Sequence, residues 1–102
     1  LEAAADLMVG HLGFPRSQAL AELRWYSQAP TVPMGYAAGW ALIEALRERL
    51  QRLEAGFTLR KFHDRLLSQG SIALPLVIQS AFGEADWRAA RDAVFFGRSP
   101  AP

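Results

Sequence analysis

The sequence has 102 residues, 51% of them hydrophobic, which is enough apolar material for one domain with a modest core. Its formal net charge of +1 argues against nucleic acid as a partner, because binding to phosphates usually needs a marked basic excess. Cysteine is absent, which excludes disulfides and thiolate metal sites and leaves the compartment open, and no apolar run approaches the roughly 20 residues of a membrane-spanning helix.

The first two predicted helices precede a proline-rich turn. Residues 2–9 are rich in Ala and Leu, and the glycines that follow predict that a first helix ends near Gly10. Pro15 suits the first turn of a second helix, predicted over residues 16–27. Because the chain begins at Leu1, without an initiator methionine and in a stretch typical of a helix, we expect it to be a fragment of a larger protein.

The third predicted helix is the longest. Apolar residues recur from Met34 at spacings of three and four, which predicts about five turns that end at Gly56. The apolar positions of this helix are Ala38, Leu42, Ala45, Leu46, Leu50 and Leu53.

Three shorter helices are predicted after Gly56. Thr58 is a typical N-cap, and the apolar pattern behind it predicts a helix that ends at Gly70. Residues 76–78 have the composition of a buried strand, but no second strand-like run could pair with them, so a short helix that Gly83 stops is predicted instead. A last helix is predicted over residues 84–94, followed by a frayed tail at 99–102.

These elements predict an all-α fold, an orthogonal array of about six short helices. No repeat, linker or domain boundary is visible, so residues 1–102 are predicted to form a single helical domain or fragment.

The sequence gives little sign of catalysis by this chain alone. A hydrolytic zinc site needs about three protein ligands, usually with two histidines at helical spacing. The two histidines, His11 and His63, are far apart and form no recognisable ligand pair, and the serines lack a nucleophile motif or a nearby base. We therefore expect no metal or other cofactor in this chain.

Residues 23–40 are unusual because they concentrate aromatics, prolines and glycines at one helix junction. Gly35 and Gly39 stand one turn apart, which provides a face that another backbone could approach closely. One interpretation is tight helix packing with Tyr26 and Tyr36 as rim aromatics; the other places a tyrosine hydroxyl in a cleft.

An ordered series of short motifs between about residues 6 and 78 resembles the C-terminal end of the bacterial "domain of unknown function 885" family. The series is Tyr26-x-x-x-Pro30, Tyr36-x-x-Gly39, Leu46-Arg47, Phe57-x-Leu59-x-x-Phe62-His63-Asp64-x-Leu66-Leu67-x-x-Gly70-Ser71 and Leu74-Pro75-Leu76.

The resemblance implies a large helical protein similar to zinc-dependent peptidases, with a His-Glu-x-x-His-type motif upstream. That motif is absent here, so zinc is implied only for the full-length protein, and this chain would line a peptide-binding cleft. Residues 35–40 also look similar to the Gly-Tyr-rich helix of thimet-type oligopeptidases, which implies that Tyr36 donates a hydrogen bond to the oxyanion. Arg24 and Tyr26 are the candidate substrate-binding residues; the family often has Arg-Tyr before the proline, whereas here Arg24 precedes Trp25-Tyr26.

His63 is predicted to be a buried structural residue, because it shares the apolar stripe of its helix. The expected partners of the chain are the remainder of its own polypeptide and a peptide substrate. We also expect the fragment to self-associate, and we expect it to bind neither nucleic acid nor a membrane. The alternative to the peptidase hypothesis is a non-catalytic helical interaction or packing module.

Overall fold

The computed structural model describes residues 1–97, and these form six helices without a strand. The helices are α1 (Glu2–Leu12), α2 (Arg16–Gln28), α3 (Val32–Leu53), α4 (Leu59–Leu67), α5 (Leu74–Phe82) and α6 (Glu84–Phe95). The all-α prediction is confirmed, and so is the helical assignment of residues 76–78. The predicted frayed tail at 99–102 lies outside the described residues.

Several helix boundaries differ from the predicted ones: α3 ends at Leu53 and α4 at Leu67, three residues before the predicted glycines. Helix α1 continues through Gly10 and ends at Leu12, where Gly13 adopts a left-handed conformation (φ 68°) and donates its N–H to Val9 O at 3.1 Å. A glycine inside a helix costs only about 1 kcal/mol, whereas a left-handed glycine closes the last turn. Helix α3 begins at Val32 because Pro33 is tolerated in a first turn.

Contacts divide the chain into two compact units, Leu1–Tyr36 and Ala37–Pro102. In the first unit, α1 packs on α2. Ala5 and Ala19 are fully buried, so two small side chains form this contact. Arg16 of α2 makes ion pairs with Asp6, at 2.6 Å, and with Glu2, and both belong to α1. The Asp6 hydrogen bond, followed by that of Glu2, raises the pKa of the Arg16 guanidinium.

The second unit contains the main hydrophobic core. Leu42, Leu46 and Leu50 project from one side of α3 at intervals of four residues. They belong to a cluster that is completed by residues of α4, α5 and α6, namely Phe62, Ile78, Phe82 and Ala90. The apolar spacing of α3 predicted this buried face.

Polar contacts fix the shorter helices of this unit. The Thr58 side chain caps α4 by accepting a hydrogen bond from the Lys61 N–H at 3.2 Å, as predicted. Asp86 at the start of α6 accepts a hydrogen bond from Arg49 Nε at 2.7 Å, and both side chains are largely buried. None of the helices in residues 1–97 combines the length and the hydropathy that crossing a membrane requires.

Candidate functional site

The residues singled out in the sequence lie near the turn between α2 and α3, within the first unit. Arg24 and Tyr26 belong to the last turns of α2, and Tyr36 lies in the second turn of α3. The connection includes Thr31, which has a φ of 76°. A β-branched residue rarely adopts this left-handed conformation, and such strain is often found at functional sites.

Tyr26 is half-buried, and its environment disfavours ionisation. Burial raises the pKa of the Tyr26 phenol most, followed by the Glu22 carboxylate one turn earlier and by Tyr36. The influence of Tyr36 indicates that the two phenols are close enough to interact electrostatically. The ring of Trp25 packs edge-on against Tyr26, with 5.6 Å between centroids. Tyr26 is therefore protonated at physiological pH, and the Glu22 carboxylate accepts its O–H.

Tyr36 and Arg24 are both exposed. Tyr36 has 74% of its surface accessible to solvent, so its hydroxyl is available to a ligand. Arg24 lies two residues before Tyr26, which places the two side chains on opposite sides of α2. The two phenols are therefore within range of an electrostatic interaction, while Arg24 lies on the other side of α2 from Tyr26.

Glu22 was not identified from the sequence. Its spacing of four residues from Tyr26 on a predicted helix was the available signal, since such pairs meet on a helix surface. Its carboxylate is one of the groups that raise the pKa of the Tyr26 phenol.

The glycines of the junction leave open space on one face of α3. A Cβ at Gly39 would meet Leu74 Cδ2 at 3.9 Å, an ordinary distance to a side chain. Within residues 1–97, no backbone lies within 4 Å of that position or of the corresponding one at Gly35, so the small-residue face stays a prediction.

The prediction that His63 is buried is wrong. Helix α4 buries Phe62 against the core, and His63, one residue further and about 100° around the helix, is exposed. The ring of Phe62 lies 5.5 Å from that of His63. Leu59 and Leu67 share this exposure, so most of the apolar stripe on α4 is accessible to solvent.

The residues present do not fit a metal ion. Within residues 1–97, no three His, Asp or Glu side chains are grouped so that they could hold one. His11 lies in the last turn of α1 and His63 in α4, and the two belong to different units. The chemistry available around Tyr26 and Tyr36 is therefore hydrogen bonding by phenol groups.

Titration of Tyr26 tests this description of the site. The chain has two tyrosines, so Tyr36→Phe leaves Tyr26 as the only phenol, and its midpoint should lie above the ordinary 10.0. Adding Glu22→Gln should lower the midpoint toward that value, because one of the causes is removed. Tyrosinate absorbance measures the titration midpoint of Tyr26 in both variants. A midpoint at or below 10.0 in Tyr36→Phe would contradict the half-buried position of Tyr26 beside Glu22. Since the folded pKa exceeds the unfolded one, this group's contribution to stability should be lost as pH rises through the folded pKa.

Comparison with known proteins gives one match. A family model described as "Bacterial protein of unknown function (DUF885)" matches residues 1–80. No curated protein and no solved structure matches the chain significantly. Because the match takes in residues 1–80 of 102, the chain belongs to this bacterial family.

Proposed function

We propose that this chain is the C-terminal helical portion of a zinc-dependent peptidase-like protein and that it lines a peptide-binding cleft. The zinc site lies in a part of the polypeptide outside these residues, since those described here do not fit the metal. The observation that carries the proposal is the pair of phenols at the α2–α3 turn, with Tyr36 exposed and Tyr26 half-buried beside it.

The side chains of this turn have separate roles in the proposed cleft. The Tyr36 hydroxyl donates a hydrogen bond to the carbonyl oxygen of the peptide bond, where negative charge develops during attack. The Tyr26 oxygen accepts a hydrogen bond from an N–H of the peptide backbone, because its own O–H is donated to the Glu22 carboxylate. Arg24, on another side of α2, binds a carboxylate of the peptide through its planar guanidinium.

Proteolysis by the full polypeptide is the direct test. The full polypeptide should cleave internally quenched peptides, lose this activity when a chelator removes zinc, and regain it when zinc is added back. The proposal would be contradicted if the full polypeptide bound zinc but cleaved no peptide from a diverse pool.

Arg24→Gln should act on substrate binding alone. We expect an increase in KM of about fivefold for peptides with an acidic group, with kcat unchanged, because an exposed ion pair contributes at most about 1 kcal/mol. Neutral peptides serve as the control, since their KM should not change. An equal effect on both peptide classes would exclude a role for Arg24 in binding carboxylates.

A second candidate function is a non-catalytic packing module, and the surface of the first unit favours it. Only Ala5 and Ala19 are buried hydrophobic residues there. Several large apolar side chains of that unit are exposed: Leu1, Leu7, Leu12, Trp25, Val32 and Met34. Such a surface is typical of an interface with another part of the same polypeptide. Under this hypothesis the isolated chain self-associates in sedimentation, and the tyrosine variants leave any peptidase activity of the full polypeptide unchanged.

A further inference from the structure

A separate cavity of about 230 Å³ lies in the second unit, between the end of α3, the start of α4 and the end of α5. Its floor is apolar and includes Leu50, Phe62 and Phe82, all nearly inaccessible to solvent. Phe57 adds a partly buried wall. The Phe62 ring lies 6.0 Å from that of Phe57 and 5.7 Å from that of Phe82, and both pairs are tilted. The floor is therefore largely aromatic.

The size of the cavity suits one ring with a small substituent. Apolar cavities of about 150 Å³ in other proteins accept benzene, so this volume has room for a ring and a short polar group. Tilted neighbouring rings also favour an aromatic guest, because aromatic pairs prefer tilted or offset arrangements.

Arg65 forms a fixed part of the wall. Its Nε donates to Ala81 O at 2.6 Å, its NH1 group lies 3.1 Å from Glu54 Oε1, and its guanidinium stacks over Phe82 at 4.4 Å. These contacts hold the guanidinium in place with two of its five N–H donors. Glu54 also lines the cavity, and because it is paired with Arg65, the negative charge of Glu54 offsets the positive charge of Arg65 there.

Lys61 provides the remaining positive charge. It lines the cavity and forms no ion pair with any of residues 1–97. The hydroxyl of Thr58 lies at the same wall; it accepts the N–H of Lys61, and its own O–H is free to donate. The net local charge from Glu54, Arg65 and Lys61 is +1, which matches a ligand with a single negative charge.

We propose that this cavity binds a small aromatic monocarboxylate, with its ring on the phenylalanine floor and its carboxylate at Lys61 and Thr58. The same chemistry occurs in free arylacetic acids and in a C-terminal phenylalanine of a peptide. The site lies within the second unit, and it does not depend on the proposed peptidase function.

Amide chemical shifts in the complete chain provide the test. One arm titrates phenylacetate against phenylacetamide, its neutral counterpart, and a second titrates acetyl-Gly-Phe against acetyl-Gly-Phe-amide. We expect saturable shifts around Thr58, Lys61 and Phe57 with the acids, with a Kd on the order of millimolar for so few atoms. The amides should bind about fivefold more weakly.

Lys61→Gln and Arg60→Gln form a matched pair of variants. Both remove one positive charge from the same exposed turn of α4, but Arg60 is 92% exposed and does not line the cavity. Lys61→Gln should weaken binding of the acids about fivefold, and Arg60→Gln should have little effect.

Each result has a defined meaning. Binding of phenylacetate alone identifies a free acid as the ligand, and binding of both acids extends the site to peptide C-termini. Equal binding of acids and amides, equal effects of the two variants, or the lack of saturable shifts with both acids would overturn the proposal.

Discussion

Tyr36→Phe in the full polypeptide is expected to lower kcat for peptide cleavage by about 100-fold, while KM stays near its original value. The substitution removes one hydroxyl and keeps the ring, so contacts with the bound substrate survive. A donor that acts on the developing oxyanion is lost, and the loss of such a donor typically lowers kcat by about 100-fold or more. Because Tyr36 is exposed, its hydroxyl has no structural role that would be lost with it.

Two controls separate catalysis from packing. Met34→Leu alters an exposed residue in the first turn of the same helix and should leave kcat unchanged. Thermal melting of both variants should match that of the original protein. A correctly folded Tyr36→Phe protein with unchanged turnover would leave Tyr36 as a surface of the cleft or of a packing interface.

Leu46→Ala is expected to destabilise the second unit by about 2–5 kcal/mol, a large fraction of the 5–15 kcal/mol that is typical of a domain. Leu46 is fully buried on α3, at the centre of the cluster that also includes Leu42 and Ile78. Truncation removes apolar contacts within this cluster and leaves a cavity that the neighbouring side chains can fill only in part.

Leu53→Ala is the matched control for this experiment. The same side chain is removed from the same helix, but Leu53 is 59% exposed, so the free energy of unfolding should change by less than about 0.5 kcal/mol. Urea denaturation followed by far-ultraviolet circular dichroism measures both variants. Similar losses for Leu46→Ala and Leu53→Ala would contradict the position of the core described here.

Local sequence features were sufficient to predict the helices and several of the residues at which they end. Gly83 separates α5 from α6, and Thr58 caps α4, because glycine flexibility and side-chain capping act within a few residues. The spacing of α3 also predicted the apolar positions of its three buried leucines, which recur every four residues, although Leu53 of the same apolar series is exposed. The family resemblance likewise came from motifs in the sequence, and the family match supports it.

Tertiary structure decided which apolar surfaces are covered and which side chains meet. The stripe on α4 contains both Phe62 and His63, and only the packing of neighbouring helices determines that Phe62 is buried while His63 is exposed. The aromatic cavity combines residues of three helices and the loop before α4, so no local sequence pattern predicts it. The neutralisation of Arg65 by Glu54, 11 residues earlier, depends on the same packing. Helix formation depends on neighbours along the chain, whereas burial and charge pairing depend on neighbours in space, which sequence periodicity does not identify.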